Sequence, residues 1–168
     1  MEAIKIVLFC VLAAISYGIV HDQVTAHLCV EYFTIAHPTV FPTQSPFLLA
    51  LGWGVIATWW VGLPLGLAAA AAARIGTQRR LALTDLRPMI FWLLAVMAMS
   101  ALIAGATSAY LVASGRMSVP GGWGPYIPEG KWVAFSADAW SHLASYAVGL
   151  LGGLFVIGHI VLRRVHGR

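Results

Sequence analysis

Charge is scarce in this chain. Aspartate, glutamate, lysine and arginine make up 10% of its 168 residues, against about 25% in a soluble domain, and the mean hydropathy is +0.85. A water-soluble globular domain is excluded, and a single-domain membrane protein of several spans, covering residues 1–168, is implied. The excess of ten basic over six acidic residues is no nucleic-acid footprint. The basic side chains sit between hydrophobic segments rather than on a patch with interleaved aromatics. Cysteine is nearly absent too. Cys10 and Cys29 would lie roughly 28 Å apart on one continuous helix, far beyond disulfide reach. Catalytic signatures are also missing. There is no His-Glu-x-x-His, no Gly-x-Ser-x-Gly elbow, no phosphate-cradling glycine loop and no mid-membrane histidine pair for a haem.

Long apolar runs are abundant. About 20 residues cross ~30 Å of hydrocarbon, and the runs predict spans at 3–24, 47–73, 88–113 and 137–162. The expected fold is all-α: a polytopic, four-helix antiparallel transmembrane bundle with an ordered extracytoplasmic loop between the third and fourth helices. Pro64 is expected to kink the second span, and Gly62 and Gly66 mark a face for close helix approach. Pro88 is expected in the first turn of the third span. The Gly-, Pro- and Trp-rich stretch 118–132 suits an interfacial loop. Lys5, Arg74, Arg79, Arg80, Arg87, Arg163, Arg164 and Arg168 fall at one side of this topology, and Arg116 and Lys131 at the other. The positive-inside rule then makes both termini cytoplasmic, in a bacterial inner membrane. The N-terminal run lacks a basic region and a clean cleavage site, and reads as a retained span.

Against this apolar background one stretch stands out. His21, Asp22, His27, Cys29, Glu31 and His37 fall within seventeen residues, and Asp138 and His142 form a second polar cluster more than a hundred residues later. The topology puts the end of span one and the start of span four at the same depth on the same membrane face. Asp138 and His142, like His27 and Glu31, are four apart and share a helix side. His21, Asp22, Thr25, Cys29 and Tyr32 share another face at about 100° per residue. Ionisable groups at membrane depth are costly and usually functional. Imidazoles and carboxylates converging from two helices are what a metal site requires.

The expected ligands of a divalent metal are therefore His21, Asp22, His27, Glu31, Asp138 and His142, with zinc first and iron or copper as alternatives. Cys29 reads equally as a buried small hydrophobe, and His37 as a connector residue. His159 and His166 belong to the opposite end. Tyr17, Thr25, Ser141 and Ser145 read either as lining the site or as partners for backbone carbonyls. A metal so held could activate water or dioxygen in a membrane hydrolase or oxidoreductase acting on an amphiphile, with Glu31 or Asp22 as general base and the 119–132 loop as cover. The alternatives are a metal-handling protein, or a structural or assembly subunit whose polar cluster docks a partner protein. The expected surroundings are the lipid bilayer, and nucleic acid is not among the partners.

Overall fold

The computed structural model describes residues 1–166, so Arg168 lies outside the described residues. It is all-helical: α1 (Glu2–Leu28), α2 (Val30–Thr34), α3 (Pro46–Ile56), α4 (Trp59–Arg74), α5 (Leu83–Ala113) and α6 (Trp132–Val165). Three short 3-10 turns lie between α5 and α6, and there is no strand among the described residues. Four helical stretches are long and apolar enough to cross a membrane, α3 and α4 together making the second.

Four boundaries differ from the sequence expectation: the last helix starts at Trp132 rather than 137, and the other three have a local reason. The second span breaks at Ala57 and Thr58 rather than at Pro64, which is accommodated inside α4. The third helix begins at Leu83, ahead of Pro88, because the Asp85 carboxylate accepts the Ala82 N–H at 2.8 Å and caps it. The first span runs on to Leu28. Cys29, in extended conformation (φ −148°, ψ 90°), then turns the chain into the short α2. Pro38, Pro42 and Pro46 follow, and Pro46 opens α3 behind the Ser45 cap.

The helices pack as two pairs. Helix α1 lies along α3 and α4, and α5 lies along α6, with thinner contact between the pairs. Small residues set the first pairing. A Cβ on Gly62 would stand 2.9 Å from Ala14 Cβ, and one on Gly66 2.9 Å from Cys10 Cβ, so the pair 62/66 packs internally as expected. Higher on the same seam Gly18 and Gly54 cross backbone to backbone. In the second pairing Ser141 Oγ donates to Ala101 O at 3.0 Å, filling the space over Gly105. Ser108 Oγ donates to Ser136 O at 3.1 Å.

At one end of the molecule Glu2 accepts the Leu83 N–H, and Arg163 reaches Asp85. Arg164, buried, donates to the carbonyls of Ala72, Gln78 and Arg79. Those carbonyls include one from the last turn of α4, where a cation is favoured by the helix dipole. The start of α1, the end of α4, the start of α5 and the end of α6 are thus tied together. The other end holds the polar clusters.

Candidate metal site

His21 and Asp22 stand near the C-terminal end of α1, and His142 stands ten residues into α6. The two helices touch here. His142 Nε2 is 3.2 Å from Asp22 Oδ1, with both side chains under a tenth exposed. The His21 and His142 rings meet edge to face at 4.5 Å between centroids. One ligand atom each from His21, Asp22 and His142 lie within 4.8 Å of one another. One turn below, Tyr17 Oη and Ser145 Oγ share a hydrogen bond of 2.8 Å across the same two helices.

The hydrogen-bond roles within the group are decided by chemistry. His142 Nδ1 lies 2.8 Å from the backbone carbonyl of Asp138, which can only accept, so Nδ1 carries a proton. That leaves Nε2 as the atom facing the Asp22 carboxylate. His21 Nε2 is buried with no hydrogen-bond partner. One side chain of α6 and two of α1 are thus gathered here, and the contact between His142 Nε2 and Asp22 Oδ1 leaves His21 Nε2 without a partner. A proton on His142 Nε2 would satisfy the Asp22 contact alone. Two donors on one tetrahedral zinc stand about 3.3 Å apart, given bonds of about 2.0–2.1 Å. The Asp22–His142 contact has a spacing of that order.

Asp138 is fully buried, and neither carboxyl oxygen has a hydrogen-bond partner. It shares a helix side with His142, yet the imidazole bonds to its backbone and not to its carboxyl. It is not one of the three converging ligands. His27 is exposed, with Nδ1 turned back on Gln23 O at 2.7 Å. Glu31 lies beyond the Cys29 turn, its oxygens 3.3 Å from Lys131 Nζ and 3.4 Å from Cys29 Sγ. Burial pushes the Glu31 carboxyl up, but its own backbone N–H, the Cys29 thiol and the Lys131 ammonium outweigh that and hold it below the usual value. So of the six expected ligands the structure brings His21, Asp22 and His142 together, leaves Asp138 close behind them, and sets His27 and Glu31 apart.

The cover over the group comes from α2. The Tyr32 ring lies 4.6 Å from the His142 ring, and the Phe33 ring 5.7 Å. His37, bonded through Nδ1 to Tyr32 O at 2.8 Å, wedges between Phe33 and Trp53. Burial first, then the charge of His142, lowers its basicity against the opposing Tyr32 bond, so His37 serves here as a neutral aromatic plug. The 119–132 segment forms a further layer, where Val119 and Ile127 pack with Cys29 and Phe135. The Tyr32 hydroxyl is pushed up by burial first, then by Tyr146, Asp138 and Asp22. Tyr32 was visible in the sequence as sharing a face with His21. Phe33, Trp53 and Tyr146 carried no signal beyond being aromatic.

No protein-family model matches the chain, and no curated protein or solved structure matches it either. The site is therefore read from its own chemistry.

Cys29 gives a direct check of this layer. Burial, then its hydrogen bond to Glu31, pushes the thiol up to about 12, so almost no thiolate, the reactive form, exists at pH 8. In a Cys10→Ala background the folded protein should resist maleimide at pH 8 and label fully once unfolded. Rapid labelling of the folded protein would show that α2 does not close as described.

Proposed function

We propose that this is an integral membrane metal-binding protein whose site is made by His21, Asp22 and His142, with zinc as the first choice of ion and iron or copper as alternatives. The carrying observation is the gathering of one ligand atom each from His21, Asp22 and His142 within 4.8 Å, together with a buried His21 Nε2 that has no hydrogen-bond partner. Mixed nitrogen and oxygen donors suit these metals. The four spans are read as an antiparallel bundle. The excess of basic residues at the end opposite the site supports, by the positive-inside rule, both termini in the cytoplasm and the site on the extracytoplasmic face of an inner membrane.

Three protein donors leave one tetrahedral position for water or a ligand. That is how catalytic zinc sites differ from structural ones, which use four. A metal so placed lowers the pKa of bound water and polarises carbonyl oxygens, so hydrolysis is the reaction class the donor set favours. Asp138 would act as the compensating charge. Two neutral imidazoles and one carboxylate leave a dication with one uncompensated positive charge, and a second buried carboxylate close by removes that cost.

Elemental analysis of the protein purified in detergent without chelator tests this, beside a variant with His21→Ala and His142→Ala together. About one zinc, iron or copper per chain in the native protein, lost in the double variant while helical content is retained, is the expected result. Absence of metal from both would end the metal reading and leave the polar cluster as a docking surface for a partner protein.

A further inference from the structure

Below the His/Asp group the two helix pairs do not close on each other. A cavity of about 130 Å³ runs between them, lined on α1 from Asp22 down to Cys10 and on α6 from His142 down to Val156. At 1.5 Å per residue those limits are roughly 20 Å apart, longer than one leaflet of a bilayer whose hydrocarbon is ~30 Å thick. A volume this small over that length makes a narrow channel, one alkyl chain wide. Polar side chains gather at its upper end: Tyr17, His21, Asp22, His142, Ser145 and Tyr146. The remainder is apolar apart from Thr58 near the helix break.

Protein interiors are close-packed, and an apolar gap of this size excludes water, so something apolar belongs in it. Its walls are kept thin by Gly62 from α4 and by Gly149 and Gly153 from α6, and Met97 and Leu65 lean into the space those last two leave. Two of the lining residues, Tyr146 and Leu150, are about half exposed, 46% and 53%, so the cavity is not sealed at α6. The channel thus opens sideways, toward the lipid, and a chain can enter without crossing the polar end.

From the cavity, its lateral opening and the donor group at its head, we infer that the channel seats one long acyl chain, with the carboxylate or carbonyl oxygen of that chain at the His21–Asp22–His142 group. The ligand class is a single-chain fatty acid or fatty acyl lipid. The seat of the chain rests on the cavity, and the anchoring of its head rests on the metal reading above. The open coordination position takes the oxygen, and the apolar walls select the chain.

The test uses the metal-loaded full-length protein in lipid nanodiscs, titrated with the fluorescent fatty acid cis-parinaric acid and chased with palmitic acid. Two channel-filling variants come from different helices, Met97→Trp and Gly149→Leu, so that misfolding of one does not void the experiment. Bound metal is measured on every sample. The expected result is one parinarate per chain, displaced by palmitate but not by octanoate. Affinity should fall at least tenfold in each filled variant with metal content unchanged, and tenfold or more in His142→Ala. Binding that is equal in native and filled proteins overturns the inference, as does metal-loaded protein that binds no parinarate, and in both cases the metal reading stands. Protein that takes up no metal on loading yet binds parinarate, and loses it on filling, sinks the metal reading and keeps the chain in the channel.

Discussion

Asp138→Asn is expected to stabilise the metal-free protein and to weaken metal binding ten- to hundredfold. The two effects come from one observation, a fully buried carboxyl with no partner on either oxygen. Without an ion, that group has nothing to offset its desolvation, and an unsatisfied buried polar group costs about 1–3 kcal/mol, more when charged. Asparagine keeps the shape and cannot ionise, whereas the buried carboxyl must hold a proton to avoid an unpaired charge. With an ion present the sign reverses, because the same carboxylate compensates the metal, and substitutions behind the direct ligands typically cost 10–100-fold in affinity. Thermal unfolding in detergent, with and without prior chelation, and competitive metal titration read the two arms separately. Asp22→Asn, by contrast, should lose the metal altogether, since Asp22 lies in the converging group itself. An Asp138→Asn protein that is no more stable when stripped and binds metal as tightly as the native chain would make Asp138 a bystander.

The outline of the site was legible because ionisable residues stand out in an apolar chain. His21, Asp22, Asp138 and His142 were each visible as polar groups near a span end, and alternation of the spans brings those ends together. What one sequence could not supply was direction. Asp138 and His142 share a helix side by their spacing, but the imidazole spends its Nδ1 proton on the Asp138 carbonyl. The two side chains therefore do not point at one centre. His27 and Glu31 share the same spacing and looked equivalent. The extended Cys29 between them rotates the chain, so that one faces out and the other meets Lys131, a partner a hundred residues away. The fold divides in the same way. The four long apolar stretches followed from hydropathy, since the cost of unpaired backbone in lipid dictates helices. The interruption at Ala57 and Thr58 carries no glycine or proline of its own. It lies beside the Gly18–Gly54 crossing, a tertiary contact that no local pattern announces.

That crossing carries the other large expected effect. Gly54→Ala should lower the melting temperature in detergent and reduce metal affinity, although Gly54 touches no proposed ligand. An added Cβ would stand 2.6 Å from both the N and the Cα of Ile19. These are backbone atoms of a helix packed on its other side, and they cannot turn away as a side-chain tip can. The helices must separate, and overpacking of this kind typically costs 1–3 kcal/mol. Ile19 lies two and three residues before His21 and Asp22 on the same rigid helix, so moving it carries both away from His142, which is held from α6. Gly158→Ala is the matched control. It also sits inside a helix, but a Cβ there meets nothing within 4 Å. Alanine's better helix propensity, up to about 1 kcal/mol over glycine, should leave that variant unchanged or slightly more stable, with full metal content. If Gly54→Ala behaves like Gly158→Ala in both measurements, α1 does not cross α3 at this point, and the position of His21 and Asp22 opposite His142 loses its support. If stability falls while metal affinity stays native, the site is held by α6 and the α2 cover rather than by the register of α1.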